Sequence, residues 1–314
     1  MIRPLRWRAV LSWRVQSAKD VHSSKLKFDT NSSKDVKAES AEEILVVGLG
    51  EVGRPLYDIL SEKFSKVYGY DLDSSKTIDN LDDVKPPIGI LHIAYPFKEL
   101  NQFIDVTLGY INMLNPSLVI VHSTVALGTT RTLQSRTNAK VAYSPVRGKH
   151  PLMKDHMLFW TKWVAAINRA ALDHAREHLE MAGFKVRLAQ EPESLELAKL
   201  WETVYRAIMI ASWHEVHRIA MRFGADLDVV AEFVSEVHEV LKDRPVYYPD
   251  VIGGHCLIQN TEILFKQTGS RLLELVLESN RKRSEEVADG KVLEDIEKLK
   301  RIWLRHAPKS YYRL

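Results

Sequence analysis

Two stretches of the 314-residue sequence hold residues whose types and spacing suit chemistry. The first is Gly48-Leu49-Gly50-Glu51-Val52-Gly53. It follows directly on the apolar run ILVVG (44–48) and precedes RPLYDILSEKF, where Leu56, Ile59 and Leu60 keep helical spacing. A strand, a glycine turn and a helix in that order make a cradle for a pyrophosphate. Gly48 permits the tight turn, Gly50 lets the backbone approach, and Gly53 lets helix and strand pack closely. The helix N-terminus adds free N–H groups and the positive end of its dipole. The next short strand, KVYGYD, ends at Asp71, 23 residues after Gly48. A carboxylate there accepts hydrogen bonds from ribose hydroxyls and repels a 2′-phosphate, so the unit predicts NAD in preference to NADP. Gly48, Gly50, Glu51, Val52, Gly53 and Asp71 are the candidate cofactor residues, joined by Pro96, Ser123 and Thr124 at later strand ends.

The second stretch is Tyr248-Pro249-Asp250-Val251-Ile252-Gly253-Gly254-His255-Cys256-Leu257-Ile258. Two glycines place the thiol of Cys256 on a tight turn, and a helix opening at Leu257 would put it at a helix N-terminus. The dipole there is expected to lower the thiol pKa and favour the nucleophilic thiolate. Upstream, Lys199, Thr203 and Arg206 recur at spacings of four and three, so they share one helix face.

These residues need elements to position them. GILHIAYPF (89–97), LVIVHSTV (118–125), KVAYSP (140–145), KWVAAIN (162–168) and FKVRLA read as further strands, with helices between them such as ALDHAREHLEMAG (171–183). Such alternation implies a parallel sheet covered on both faces, with ligands beyond the carboxyl ends of its strands. After Pro192 the strands stop. The run 194–224 is one long helix in which Leu195, Ala198, Tyr205, Ile208, Ser212, Val216, Ile219 and Phe223 trace one face, the expected core face. Leu200, Trp201, Val204, Met209, Ile210 and Trp213 lie off that stripe and would be left over for a second copy of the chain. Helices follow over 226–237 and 270–304. The fold class expected is α/β: a Rossmann-type doubly wound parallel sheet, then an all-helical second domain. The divisions expected are a disordered basic extension over 1–42, an NAD-binding domain over 43–190 and a helical central domain over 191–314. The Arg-rich, acid-poor start of the chain also fits a presequence or a mis-assigned start.

The sequence resembles the UDP-glucose/GDP-mannose dehydrogenase family. GLGEVG, STVALGTT, SPVRG, ELAKLWETVYRA and GGHC stand in that family's order over roughly residues 43–285. The resemblance implies oxidation of a sugar-nucleotide alcohol to a carboxylate with two NAD. It implies Cys256 as the nucleophile that forms a thiohemiacetal and then a thioester, Lys199 as oxyanion stabiliser, and Thr124 as a residue that positions water. It also implies pairing of two copies through the central helices. The sequence departs from the family at four places. Val146 stands where the family has glutamate after Ser-Pro, Thr203 where it has asparagine, Asn260 where it has aspartate and Ile258 where it has proline. The roughly 30 residues after 285 are also too few for a further nucleotide-sugar-binding domain. Thr203 and Asn260 are kept as candidate site residues, and the second oxidation and its hydrolysis are the steps that the altered residues affect. A β-hydroxyacid dehydrogenase, which has a similar glycine loop and helix lysine, is an alternative. So is a catalytically reduced NAD-binding regulatory or scaffold protein.

Composition narrows the classes. With 44 basic and 41 acidic residues the net charge of +3 gives no nucleic-acid signature. No apolar run reaches the roughly 18 residues of a membrane helix, so a cytoplasmic protein with no membrane partner is expected. The one cysteine excludes an intrachain disulfide and a Cys-based zinc site. The histidines HEVH (214–217) stand too close for the i, i+4 zinc pattern, so no metal is expected. The expected partners are a small-molecule substrate and a second copy, joined through helix 194–224.

Overall fold

The computed structural model describes residues 42–307. The basic extension expected over 1–42 lies, Glu42 apart, outside the described residues. The first half alternates β1 (Ile44–Val47), α1 (Gly53–Lys63), β2 (Val67–Tyr70), β3 (Ile90–Ile93), α2 (Leu100–Leu114), β4 (Leu118–Val121), α3 (Thr129–Ser135), β5 (Lys140–Tyr143), α4 (Met153–Phe159), β6 (Lys162–Ala166), α5 (Arg169–Met181) and β7 (Val186–Ala189). The strands form one sheet in the order β2-β1-β3-β4-β5-β6-β7. β2 and β3 lie on opposite sides of β1, so the topological switch point falls between β1 and β3.

The pleat sorts the strand residues between two cores. Ile44, Val46, Ile90, Leu118 and Ile120 pack with Leu56, Ile59 and Leu60 of α1 and with Ala175 and Leu179 of α5. Leu45, Val47, Leu91, Ile93, Val119 and Val121 pack with Phe103 and Ile111 of α2 and, from the helical half, with Leu195, Leu200 and Val204. Both faces are covered, which is why these runs read as continuously apolar. The expected parallel sheet holds except at one junction, where β6 runs antiparallel to β5. β7 then pairs parallel with β6. The reversal puts Lys162, the first residue of β6, beside the carboxyl end of β5, where otherwise only last residues of strands stand.

The second half is helical: α6 (Pro192–Phe223), α7 (Leu227–Leu241), α8 (His255–Thr268), α9 (Arg271–Glu286) and α10 (Gly290–His306). No described helix is long and apolar enough to cross a membrane. Gly224 closes α6 in the left-handed region at φ 66°, and the Asp226 side chain caps α7 by accepting from the Asp228 N–H. The helical sequence expected over 270–304 forms two helices that part at Val287–Asp289, where Asp289 caps α10.

The face assigned to α6 is corrected. The buried side carries Leu200, Val204, Ala207, Ala211, Trp213, His214, His217 and Ala220. The outer side keeps Leu197, Trp201, Tyr205, Ile219 and Phe223 exposed. Helical periodicity is obeyed, but the stripe richer in large apolar residues points outward. The alanines on the other side let α8 and α9 pack closely, and the histidines there are satisfied: His214 contacts Ser279 Oγ and the Asp250 carbonyl, and His217 contacts Asp295. Trp213 is therefore core, not surplus.

On the α1/α5 face, three buried histidines form a file. His178 Nε2 lies 3.0 Å from His92 Nε2, and His92 Nδ1 lies 2.8 Å from His122 Nε2. Burial holds His92 and His122 well below the ordinary imidazole value and His178 down at about 3. A depressed histidine means that the unfolded chain takes up the proton first. The stability contributed by these neutral rings is complete above about pH 6.5 and drains away as the pH falls below it, for His178 down to about 3, by about 1.4 kcal/mol per pH unit for each ring. Urea midpoints should accordingly fall between pH 7 and 5, and the fall should be shallower in His178→Phe. A midpoint flat over that interval would contradict neutral buried rings.

Candidate active site

The glycine turn sits at the switch point, and its glycines are required by contact. A Cβ on Gly53 would stand 1.7 Å from the Gly48 carbonyl oxygen, and one on Gly48 would stand 2.5 Å from the Tyr95 nitrogen. Gly50 faces open space, which leaves its backbone approachable. Val52 caps α1 without a side-chain hydrogen bond, and the first turn holds no acid, so nothing there competes with an anion for the N–H groups. Asp71 reaches back to the turn: one carboxylate oxygen accepts from the Leu49 N–H at 2.6 Å and the other from the Asp73 N–H at 2.8 Å. Each oxygen keeps lone-pair capacity for a ribose hydroxyl. The turn, the helix end and the carboxylate thus fit a dinucleotide.

The helical half closes over the carboxyl edge of the sheet through specific ties. Glu196, wholly buried on α6, accepts from the N–H groups of Gly128 and Thr130 and from the Thr130 hydroxyl at 2.6–2.9 Å. Gln267 exchanges two hydrogen bonds with Leu127, and Gln259 donates to the Phe97 carbonyl. These ties set α6 and α8 across from the strand ends that carry Pro96, Ser123 and Thr124. Ser123 is buried and donates to the Tyr95 carbonyl at 2.6 Å. Thr124 is half-buried and Pro96 exposed.

Cys256 is the second residue of α8 and is exposed. Its thiol lies within electrostatic reach of Lys199, Glu202 and Glu51, which brings the glycine turn, α6 and α8 around one group. The expected thiolate is not favoured. Desolvation pushes the thiol up from its ordinary value, Lys199 opposes that shift, and Glu51 and Glu202 add to it. Lys199 is largely covered and stands 3.7 Å from Glu202.

Thr203 and Asn260 meet each other. Asn260, buried on α8, donates to Thr203 Oγ at 2.7 Å, and that hydroxyl donates to the Leu200 carbonyl. Their polar groups are used in bracing α6 against α8. Val146 is buried among Leu49, Met153 and Met157, part of the sheet core.

The sequence reading missed Lys162, Glu196 and Gln259. Lys162 is buried and donates to the carbonyls of Ser144 at 2.7 Å and Pro145 at 3.1 Å, the turn that carries Val146. Its signal was a charge at the head of an otherwise apolar strand, KWVAA. Among the described residues no group of three or more His, Cys, Asp or Glu could hold a metal ion.

Known proteins resemble this chain in sequence and in fold. Residues 193–282 match the model of the UDP-glucose/GDP-mannose dehydrogenase family, central domain. Over 303 residues the chain is 24% identical to a UDP-N-acetyl-D-mannosamine dehydrogenase of Methanocaldococcus jannaschii, covering 82% of this chain and 68% of the relative. The structure of a UDP-D-ManNAc dehydrogenase from Pyrococcus horikoshii superposes with a TM-score of 0.69 at 19% identity, over 82% of this chain and 72% of that one. A 3-hydroxyisobutyrate dehydrogenase from Mycobacterium tuberculosis shares the fold with a TM-score of 0.56 at 15% identity, over 83% of this chain and 99% of that one.

The charges around Cys256 give a test. Iodoacetamide should label the native thiol more slowly at neutral pH than a free thiol. The pH midpoint of labelling should move down in Glu202→Gln and up in Lys199→Met. Midpoints that ignore both substitutions would remove Lys199 and Glu202 from the thiol's surroundings.

Proposed function

We propose that the protein is an NAD-dependent dehydrogenase that oxidises a hydroxyl group on a nucleotide sugar or a related hydroxylated substrate. The observation that carries this reading is the convergence on Cys256 of Glu51 from the glycine turn and Lys199 from α6. A dinucleotide cradle and a nucleophile with a cationic neighbour share one crevice. Gly48, Gly50, Gly53 and the α1 N-terminus would hold the pyrophosphate and Asp71 the ribose, and the bound nicotinamide supplies the hydride acceptor. Lys199 stabilises the alkoxide left as the hydroxyl loses its proton. Thr124 orients the hydroxyl or a water at the end of β4. The thiol of Cys256 can add to an aldehyde, with the pair of electrons on sulfur forming the C–S bond.

The second oxidation is poorly served. Val146 is apolar and buried, and Asn260 is bound to Thr203, so neither activates water to release an acyl group. Loss of a general base costs roughly 10²–10⁴ in rate. The reaction therefore stops at the two-electron stage. The sheet half serves as the cofactor domain and the helical half as the pairing domain. A homodimer forms on the outer side of α6, where Leu197 and Trp201 line an open groove with Leu264 and Leu273 and Tyr205 is exposed.

Calorimetric titration should find NAD bound in preference to NADP, and Asp71→Ala should weaken NAD roughly tenfold or more, since a hydrogen bond to a charged group is worth about 1.5–3 kcal/mol. Unchanged discrimination would remove Asp71 from the ribose site. In a screen of hydroxylated substrates, nucleotide sugars included, one NADH should appear per substrate. Two, at an ordinary turnover rate, would refute the two-electron limit. Light scattering at micromolar concentration should give a dimer mass, reduced to a monomer by Trp201→Glu. A dimer that survives this change has its interface elsewhere.

A further inference from the structure

Lys162 is a buried lysine at the floor of the site, and its hydrogen bonds are unusually complete. Its ammonium has three N–H groups, and three acceptors surround it: the Ser144 carbonyl at 2.7 Å, the Pro145 carbonyl at 3.1 Å and His122 Nδ1 at 3.2 Å. None of its partners is a carboxylate. When His122 accepts at Nδ1, its Nε2–H donates to His92, and His92 Nε2–H donates to His178, so the file runs away from Lys162.

The same atoms also accommodate an uncharged amine. Two N–H groups then suffice for the two carbonyls. His122 changes tautomer and donates from Nδ1 to the Ser144 carbonyl, which lies 2.8 Å away. Its Nε2 now accepts from His92 Nδ1–H, and His92 Nε2 accepts from His178 Nε2–H. The file reverses, and no atom of Lys162, His122 or His92 loses a partner. An unpaired buried polar group is costly, so this spares the protein the usual penalty for a change of charge in its interior.

The charged groups that face Lys162 are Lys199 from α6 and Arg147 from the turn after β5, both positive, and they join burial in disfavouring its charged form. His174, one turn before His178 on α5, faces the far end of the file and stands 3.6 Å from Glu42. Phe64 stacks on His178, and the Phe184 ring lies 6.0 Å from the Lys162 amine. Lys162 thus sits among cations at the carboxyl ends of β4 and β5, on the side of the crevice away from Asp71. In an open α/β sheet that edge is where the far end of a dinucleotide comes to lie.

We propose that Lys162 gives up its proton when the oxidised dinucleotide binds and keeps it when the reduced form binds, with the His122–His92–His178 file reversing direction to absorb the change. This inference rests on the cofactor reading given above. The balance is simple. The protonated protein plus NAD gives the complex and one proton to solvent. In hydroxyl oxidation a bound dinucleotide would supply the hydride acceptor, and the hydroxyl proton would return the Lys162 amine to ammonium. A bound oxidised nicotinamide at that edge would add its positive charge to those of Lys199 and Arg147 against the Lys162 ammonium, and the neutral reduced form would not. Lys162 is then a proton acceptor whose readiness follows the charge of the cofactor.

Calorimetry of the full chain with NAD and with NADH, in phosphate and in Tris at pH 8, counts protons from the difference in apparent heat. The expected result is release of up to one proton with NAD and none with NADH. Lys162→Met should bind both forms and release none. Equal release with both forms, or release that persists in Lys162→Met, overturns the proposal. Absence of binding heat for either form overturns the cofactor reading instead, and this inference with it. A second measurement needs no variant. ¹⁵N NMR of the free protein, followed through the titration of the buried amine, should find His122 and His92 exchanging tautomers together with it. Imidazole signals that stay fixed while Lys162 titrates would also overturn it.

Discussion

The site depends on how one helix is seated. α6 supplies Lys199 and Thr203, and its position is set by Glu196, a carboxylate buried against the N-terminal end of α3. Three donors from Gly128 and Thr130 converge on that carboxylate. Burial raises its pKa, and those hydrogen bonds hold it down. Without Glu196 the two N–H groups would be buried and unsatisfied, and without them the carboxylate would be a bare charge in the core. Each side makes the other tolerable. The register of α6 against the sheet is therefore defined by polar contacts more sharply than apolar packing alone would define it. Lys199 follows Glu196 by three residues, close enough to inherit its position.

The order in which the site is assembled follows from this. The glycine turn is built by local steric contact, since Gly48, Gly53 and Tyr95 need only β1, α1 and the end of β3. The thiol side is built by long-range ties: Glu196 to Gly128, Gln259 to Phe97 and Asn260 to Thr203. A single break among these would leave the cradle intact and move the thiol. The Thr203–Asn260 bond also accounts for two of the departures from the family pattern. The substituted residues face each other and form a neutral pair that joins the two helices.

What could be read from the sequence divides along the same line. The glycine turn, Asp71 and the strands were legible because their residues are adjacent in sequence and their periodicity is local. The path of the sheet was legible, but not the reversal at β6, since strand direction leaves no mark on an apolar run. On α6 the period was right and the inward face wrong. Large apolar residues usually mark the core, but here alanines and bonded histidines do, because close packing of α8 and α9 leaves room only for small side chains. The thiol's raised pKa was not legible either, as it depends first on desolvation of the thiol and then on Glu51 and Glu202, which folding brings near. The histidine file joins residues 30 and 86 positions apart. Its only trace was a polar residue inside each of two apolar strand runs.

The contact between Gly53 and Gly48 has a genetic consequence. Any missense change at codon 53 adds a Cβ where a carbonyl oxygen already stands at 1.7 Å, so no amino acid is conservative there. Codon 50 behaves differently. A methyl group at Gly50 meets open space, so the chain can fold around it, and on the proposed cofactor reading the added group would stand where a phosphate approaches. Alleles at these two codons, only three residues apart, would thus separate into opposite biochemical classes. Lesions at 53 deplete the protein, and lesions at 50 leave its abundance intact and its pocket obstructed.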